Sequence, residues 1–281
     1  MKILITGSSG FLGSFIKKEL KKKNKIIDFD LPEDITKFKI VQKKIKLTKP
    51  KIVIHAAAAK GAQKSNLMPK KYFDVNFQGT LNILEAMRIN NIKNFVYISS
   101  SGFYRKGDKV LIENSPKDFN NPYSYGKYLG ENIAQFYAEK YKFNVLSLRP
   151  NLISGNGLKQ DNLIYDIINE IKKKQTATIF GKGLHIREFI HPLDISNAIK
   201  LWLKKKKKSN FEFYNITNNR FRVIDVVKRI IKFIGYGKII YKNVSARVFS
   251  LKLSNKKIKK NLKWLPKKNL DFIIKDNYEQ F

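Results

Sequence analysis

Two residues with complementary acid–base chemistry, Tyr123 and Lys127, lie four positions apart at the start of a predicted helix. That spacing places both side chains on one helix face. An ammonium beside the phenol would favour the phenolate and lower the pKa of Tyr123 toward the working pH. A hydroxyl of the serine run 99–101, which ends a predicted strand, could hold the same substrate oxygen. The set predicts proton removal from an alcohol while a nicotinamide accepts the hydride.

A glycine-rich turn follows the first predicted strand directly and opens a helix, with glycines at Gly7, Gly10 and Gly13. Gly7 permits a tight turn, Gly10 lets a diphosphate approach the backbone, and Gly13 lets the helix pack close to the sheet. The helix N-terminus adds unpaired N–H groups and partial positive charge. Between a strand and a helix, such a turn predicts a dinucleotide site.

Two carboxylates, Asp28 and Asp30, close the second predicted strand. A carboxylate at that position accepts hydrogen bonds from the adenosine ribose and repels a 2′-phosphate, which favours NAD over NADP. Asp30 is the preferred candidate because it lies at the very end of the strand.

Short apolar runs alternate with helical patterns over the first 130 residues, which is typical of βαβ units and a parallel sheet. We expect strands at 3–5, 26–29, 52–54, 95–98 and 145–148, and helices at 11–20, 72–90 and 125–140. After Pro150 the pattern changes to a Gly/Asn-rich loop, a helix near 163–173 and a strand near 177–180. The sequence therefore predicts an α/β fold with a separate, smaller C-terminal cap.

The formal net charge of +35 suggests nucleic-acid binding at first, but its composition favours another interpretation. The chain has 49 Lys and only 8 Arg, and base recognition relies on the planar guanidinium of Arg. A lysine excess in a chain that is also rich in Ile, Asn, Phe and Tyr is what an AT-rich coding sequence produces. We therefore expect no nucleic-acid partner.

Several protein classes are excluded by composition. The 281-residue chain is 43% hydrophobic, which excludes global disorder. It has no Cys, so disulfides, thiolate zinc sites and cysteine nucleophiles are excluded, and we predict no metal site. No apolar run approaches the length of a membrane helix, so we expect a cytoplasmic protein with no membrane partner.

These motifs together resemble the extended short-chain dehydrogenase/reductases, in the NAD-dependent sugar-nucleotide epimerase/dehydratase family. The resemblance covers nearly the whole chain. It implies a Rossmann-type, doubly wound parallel sheet with a C-terminal substrate-binding cap. The implied domains are an NAD-binding domain at 1–150, with a returning segment at about 190–217, and a cap at 151–189 and 218–281.

The resemblance also implies roles for individual residues. Asp34-Ile35 matches the family's pair near the adenine, the stretch at 53–58 matches the turn beside the cofactor, and the stretch at 73–80 contains its asparagine. The implied catalytic residues are Tyr123, Lys127 and Ser100. The implied cofactor contacts are Gly7, Gly10, Phe11, Leu12, Gly13, Asp30, Asp34, Ile35, Ala56, Ala57, Lys60, Asn76, Tyr123 and Lys127. The implied substrate contacts are Ser100, Ser101, Tyr123, Arg187 and Arg247.

The cap contains a segment, residues 187–194, that resembles the family's Arg-Asp-Phe-Val-His-Val-x-Asp motif. The family's arginine contacts the substrate diphosphate, so Arg187 inherits that role, and a guanidinium suits bidentate phosphate binding. Arg247 resembles a second diphosphate arginine, for which an ordinary surface ion pair is an equal alternative.

The sequence also departs from the family pattern. We expect no helix between the second and third strands, where the link from Asp30 to Asp34 is very short. Leu152 occupies the position of the family's substrate asparagine, with Asn151 one step early. The family's Pro-Gly-Asp after the second arginine is replaced at 248–250.

The predicted reaction is oxidoreduction at an alcohol. Sugar-nucleotide 4,6-dehydratases carry Asp-Glu where this chain has Ser101 and Gly102, which cannot serve as acid and base, so dehydration is disfavoured. Epimerase/reductases of the GDP-fucose type use a cysteine, which is absent. The stretch at 55–60, which ends in Lys60, resembles UDP-glucose-type 4-epimerases and favours epimerisation at C-4.

Two other functions stay open at this point. One is an NAD(P)H-dependent reductase of a nucleotide-activated 4-keto sugar. The other is a non-catalytic nucleotide-sensing or nucleic-acid-binding relative, which retention of Tyr123, Lys127 and Ser100 disfavours. The resemblance alone implies a homodimer through the helices at 72–90 and 125–140.

Overall fold

A computed structural model describes residues 1–105, 107, 109–159, 161–205, 211–243 and 250–281. Its strands, in chain order, are β1 (Lys2–Thr6), β2 (Lys25–Phe29), β3 (Ile52–His55), β4 (Asn94–Ile98), β5 (Val110–Leu111), β6 (Asn144–Pro150), β7 (Leu152–Ile153), β8 (Thr176–Phe180), β9 (Ile186–Ile190), β10 (Phe211–Ile216), β11 (Asn218–Arg222), β12 (Lys238–Lys242) and β13 (Lys252–Leu253).

The α-helices, in chain order, are α1 (Phe11–Lys21), α2 (Phe38–Thr48), α3 (Ala62–Leu67), α4 (Pro69–Phe73), α5 (Gly79–Ile89), α6 (Pro122–Tyr141), α7 (Leu163–Lys174), α8 (Pro192–Lys204), α9 (Val223–Ile234), α10 (Lys256–Leu262) and α11 (Leu270–Tyr278). A π-helical segment, Asp74–Gln78, joins α4 to α5.

A six-stranded parallel sheet forms the centre of the molecule, in the order β10-β6-β4-β3-β1-β2. The chain runs outward from β1 to β2 and then crosses to β3 on the other side of β1. The carboxyl ends of β1 and β3 therefore border the crevice where ligands bind in open α/β sheets. The predicted Rossmann-type, doubly wound α/β fold is confirmed.

Consecutive apolar residues of the central strands point to opposite faces of the sheet, so each face has its own core. In β1, Ile3 and Ile5 pack with α1 and α8, whereas Leu4 packs with α2, α5 and α6. Period-two alternation along a strand directs neighbouring side chains to opposite faces. Strands buried on both faces explain the nearly continuous apolar runs in the sequence.

The expectation of no helix between the second and third strands is wrong. Helix α2 joins β2 to β3 and packs on α5. Only Val41 and Ile45 of this lysine-rich helix are buried, so its apolar stripe is narrow. Helix α2 ends at Lys49, which adopts a left-handed conformation with φ 45°.

Helix α6 begins at a well-defined N-cap. The Asn121 side chain accepts a hydrogen bond of 2.8 Å from the backbone N–H of Ser124, and Pro122 occupies the first helical position. Both features stabilise a helix N-terminus. The observed helix thus begins three residues earlier than the predicted helix at 125–140, and Tyr123 lies in its first turn.

The C-terminal elements have a separate hydrophobic core. Helices α7, α9 and α11 enclose it with β8, which pairs with β12. Strand β9 is flanked by β7 and β11 in a small three-stranded sheet. The division into an NAD-binding domain and a substrate-binding cap stays a prediction, because it depends on which ligand each part binds. Among the described helices, none combines the length and apolarity that a membrane crossing needs.

Candidate active site

The glycine turn is held by close backbone contacts that only glycine allows. Gly7 has φ +68°, and a Cβ on it would lie 2.7 Å from the backbone nitrogen of Ala57. A Cβ on Gly13 would lie 1.9 Å from the carbonyl oxygen of Gly7. These distances explain why helix α1 can approach the strand ends so closely.

The same turn fits a dinucleotide diphosphate. A Cβ on Gly10 would meet only the carbonyl group of Gly7 within 4 Å, so the outer side of the turn is open. Gly10 is the N-cap of α1 and no side chain caps that end, so the N–H groups at Phe11 and Leu12 begin the helix there. Open space beside such N–H groups suits an anionic diphosphate.

Asp28 and Asp30 lie beside this turn, but they have different partners. Asp28 forms a 2.8 Å salt bridge with Lys17. Burial alone would raise the pKa of Asp28, yet hydrogen bonds from Lys17 and Ser8 hold it below its usual value. Asp30 accepts hydrogen bonds from the Ser8 hydroxyl and, at 3.1 Å, from the backbone of Ser9. With Asp28 neutralised by Lys17, Asp30 stays the better candidate for a ribose contact.

The predicted adenine pair Asp34-Ile35 is engaged within the protein. Asp34 accepts hydrogen bonds from the backbone N–H and the hydroxyl of Thr36, at 2.8 and 2.9 Å. The Ile35 side chain is buried in the core against Gly79, and Asn82 donates to its carbonyl. The predicted adenine contact stays a prediction for both residues.

The Asn76 side chain stabilises the loop that follows β3 through two hydrogen bonds. Its side-chain oxygen accepts from the backbone N–H of Ala59 at 2.9 Å, and its amide donates to the carbonyl of the same residue at 3.1 Å. Ala56 donates its N–H to the carbonyl of Thr6. The loop therefore stays beside the glycine turn, with the Lys60 side chain exposed.

Ser100 and Tyr123 meet at the carboxyl end of β4. The two hydroxyls share a hydrogen bond, and Ser100 Oγ also accepts a 3.0 Å hydrogen bond from the N–H of Gly102. Burial raises the pKa of Tyr123, and the hydrogen bond with Ser100 opposes that rise. The expected lowering of the pKa by Lys127 is therefore wrong for this arrangement. Ser101 is buried, and its N–H donates to the carbonyl of Pro150.

Lys127 is almost completely buried, with 2% of its surface exposed. Its ammonium lies 4.1 Å from the centre of the Tyr97 ring, a cation–π contact. Burial lowers the pKa of Lys127 to about 7, against an opposing effect of Glu131. The lysine can therefore change charge near neutral pH.

A buried polar network behind Lys127 was not predicted from the sequence. Arg149 donates to both carboxylate oxygens of Glu131, to the Tyr104 hydroxyl and to the carbonyl of Glu113. The only sequence signal is that Glu131 continues the face of Tyr123 and Lys127 by one more helical turn.

A cavity of about 330 Å³ lies between the C-terminal elements and β7. Arg187 and His185 line it, as does Leu152. Burial lowers the pKa of Arg187 from its ordinary value. Asn151 instead donates to Glu188 and to the carbonyl of Leu251, each at 3.2 Å. Arg247 lies outside the described residues.

Sequence reasoning missed most of the cavity lining. Asp161 and Asn162 line it from the start of α7, and Thr178 lines it from β8. In the part of the chain that the structure describes, no three His, Asp or Glu side chains are grouped as a metal site would require.

The pKa of Lys127 leads to a prediction about stability. An unfolded lysine has a pKa of about 10.4, so between that pH and about 7 the unfolded chain binds more protons and stability rises with pH. Lys127→Met removes this penalty. We expect the variant to exceed the native protein in free energy of unfolding by about 1–3 kcal/mol near pH 6, and the gain to shrink toward pH 9.5.

Urea denaturation of the two proteins at both pH values measures this difference, and Lys140→Met, on the exposed face of the same helix, is the matched control. The lowered pKa of Lys127 would be contradicted if Lys127→Met were less stable than the native protein near pH 6. It would also be contradicted if the difference in free energy of unfolding were the same at both pH values.

Known proteins with similar sequences include sugar-nucleotide enzymes. The model of the NAD dependent epimerase/dehydratase family matches residues 3–217. A Methanocaldococcus jannaschii protein, provisionally named a UDP-glucose 4-epimerase, is 30% identical over 97% of this chain and 96% of its own.

Two crystal structures share the fold over 100% of this chain and 98% of theirs. A Thermotoga maritima UDP-glucose 4-epimerase with UDP-glucose has 24% identity and a TM-score of 0.89. A Bacillus cereus UDP-glucuronic acid 4-epimerase with UDP-glucuronic acid and NAD has 22% identity and a TM-score of 0.88. By its matched residues and its fold, the chain belongs to the NAD-dependent epimerase/dehydratase family.

Proposed function

We propose that the protein is an NAD-dependent 4-epimerase of a nucleotide-diphosphate hexose. The observation that carries the proposal is the convergence of Tyr123, Ser100 and Lys127 at the sheet edge that also bears the glycine turn. The similarity to the M. jannaschii protein supports epimerisation within the family.

In this proposal each side chain has one task. Tyr123 removes the proton from the C-4 hydroxyl, and Ser100 hydrogen-bonds the same oxygen. Lys127 holds the nicotinamide ribose, and Arg187 binds the diphosphate while the 4-keto sugar rotates. Bound NAD would supply the hydride acceptor for C-4 oxidation and the hydride donor for reduction from the opposite face. The glycine turn would hold the cofactor diphosphate, and Asp30 its adenosine ribose, which favours NAD over NADP.

Dehydration, the family's other named reaction, is not supported by the residues after Ser100. Water loss needs an acid and a base at the sugar, and Ser101 and Gly102 provide neither. Ser101 is also buried, with its N–H bonded to Pro150. We therefore favour epimerisation over dehydration.

The test incubates purified protein with UDP-glucose without added cofactor and follows formation of UDP-galactose. We expect interconversion, and Tyr123→Phe to lower kcat by at least about 100-fold because the proton acceptor is lost. Tyr125→Phe, an exposed tyrosine on the same helix, is the control.

Three outcomes would contradict the proposal. Turnover that consumes added NADH or NADPH with a 4-keto sugar would indicate a reductase. A product lighter by one water would indicate a dehydratase. Full activity of Tyr123→Phe would exclude the proposed base.

Arg187 provides a second prediction. Arg187→Lys keeps the charge but loses the planar fork that matches a phosphate, so we expect the Kd for UDP to rise about tenfold. Titration calorimetry measures it, with Arg229→Lys as the control, because Arg229 pairs with Asp271 at the surface. An unchanged Kd would remove Arg187 from the diphosphate site.

We also propose a cytoplasmic homodimer that contacts no nucleic acid or membrane. Ile89 of α5 and Phe136 of α6 are 45% and 49% exposed, which supports association through these helices. We expect light scattering to give about twice the 32.7 kDa chain mass, and Phe136→Asp to shift it toward the monomer. A monomeric native protein would contradict the proposal.

A further inference from the structure

Asp161 is an exposed carboxylate in a substrate-sized cavity. It lines the 330 Å³ cavity that also contains Arg187 and His185. Its backbone has φ +53°, the left-handed region that side chains other than those of Gly, Asn and Asp rarely adopt. Asp161 precedes the N-cap residue of helix α7, Asn162, so its side chain projects from the turn rather than from the helix.

The Asp161 carboxylate faces the catalytic end of the site. Its Oδ2 would lie 3.6 Å from a Cβ on Gly61, and the Tyr72 hydroxyl is 3.5 Å from the same point. Both Asp161 and Tyr72 interact electrostatically with the phenol of Tyr123. A carboxylate thus lies within electrostatic reach of the atom that the proposed function assigns to the C-4 proton.

The charges that line this cavity are of opposite sign. Arg187 supplies a cation for a diphosphate, and burial, together with Arg187, lowers the pKa of His185. Asp161 shares the cavity with Arg187 and interacts electrostatically with Tyr123. A nucleotide sugar with its diphosphate at Arg187 and its C-4 oxygen at Tyr123 would therefore have the C-5 substituent of its hexose on the side of Asp161.

We propose that Asp161 determines sugar specificity by admitting neutral hexoses and rejecting uronic acids, an inference that rests on the proposed function. A C-5 hydroxymethyl group can donate a hydrogen bond to the carboxylate. A C-5 carboxylate would instead be a second negative charge close to the first, and two such charges repel. Rejection by an unpaired like charge is a common means of substrate discrimination.

The test compares UDP-glucose with UDP-glucuronic acid in the NAD-loaded protein. The measured quantity is the ratio of their kcat/KM values, together with the Kd of each sugar nucleotide and of UDP alone. We expect the native protein to favour UDP-glucose. Asp161→Asn keeps the shape and tolerates positive φ, so its loss of charge should lower the ratio at least about tenfold. Most of the change should come from tighter binding of UDP-glucuronic acid.

Asp166→Asn is the matched control, because Asp166 is a nearby exposed carboxylate that interacts with Asp161 but does not line the cavity. It should leave the ratio unchanged. An unchanged ratio in Asp161→Asn would overturn the proposal. So would an equal gain in affinity for UDP alone, since that would show general attraction of anions.

The binding measurements separate this inference from the proposed function. If neither sugar nucleotide is epimerised, the proposed reaction fails, and the ratio of the two Kd values still tests Asp161. If Asp161→Asn selectively lowered the Kd for UDP-glucuronic acid, that result would support rejection of uronic acids by Asp161 even without epimerase activity. Equal Kd values for both ligands in the native protein would overturn it.

Discussion

The buried ion pair between Arg149 and Glu131 is the interaction on which the position of helix α6 depends. Both side chains are almost fully buried, at 5% and 3% exposure. Removing two charges from water is costly unless the remaining donors and acceptors are satisfied. Tyr104 and the carbonyl of Glu113 satisfy Arg149, and Ser147 donates to Glu131. The pair thereby fixes α6 against β6, which places the start of α6 at the sheet edge.

The same pair explains the unusual environment of Lys127. Glu131 is one helical turn away, but its charge is already shared with Arg149, so it compensates only partly for burial of the ammonium. A lysine with a pKa near 7 is sensitive to any further charge. The diphosphates of a bound cofactor and substrate would raise that pKa, and a charged Lys127 would then favour the Tyr123 phenolate. In the proposed mechanism, the charge state that favours proton removal would therefore need both ligands.

Local patterns were sufficient to predict five of the six strands of the central sheet and the glycine turn, because each depends on residues close in sequence. Helix α2 was missed because only Val41 and Ile45 mark its buried face among many lysines. The polar network could not be predicted, since the hydrogen bond between Tyr104 and Asn215 joins residues 111 positions apart. The position of Asp161 in the cavity could not be predicted from the sequence either, because it follows from tertiary packing.

The excess of positive charge is compositional, and several of the few acidic residues do not lie at the surface. Glu113, Glu131, Glu188, Glu212 and Asp194 are all buried and hydrogen-bonded inside the fold. Many lysines are therefore left unbalanced at the surface, where they attract anions without distinguishing among them. Discrimination needs charges at fixed positions relative to the ligand. In the proposed function, these are the Arg187 guanidinium and the Asp161 carboxylate, which line one cavity.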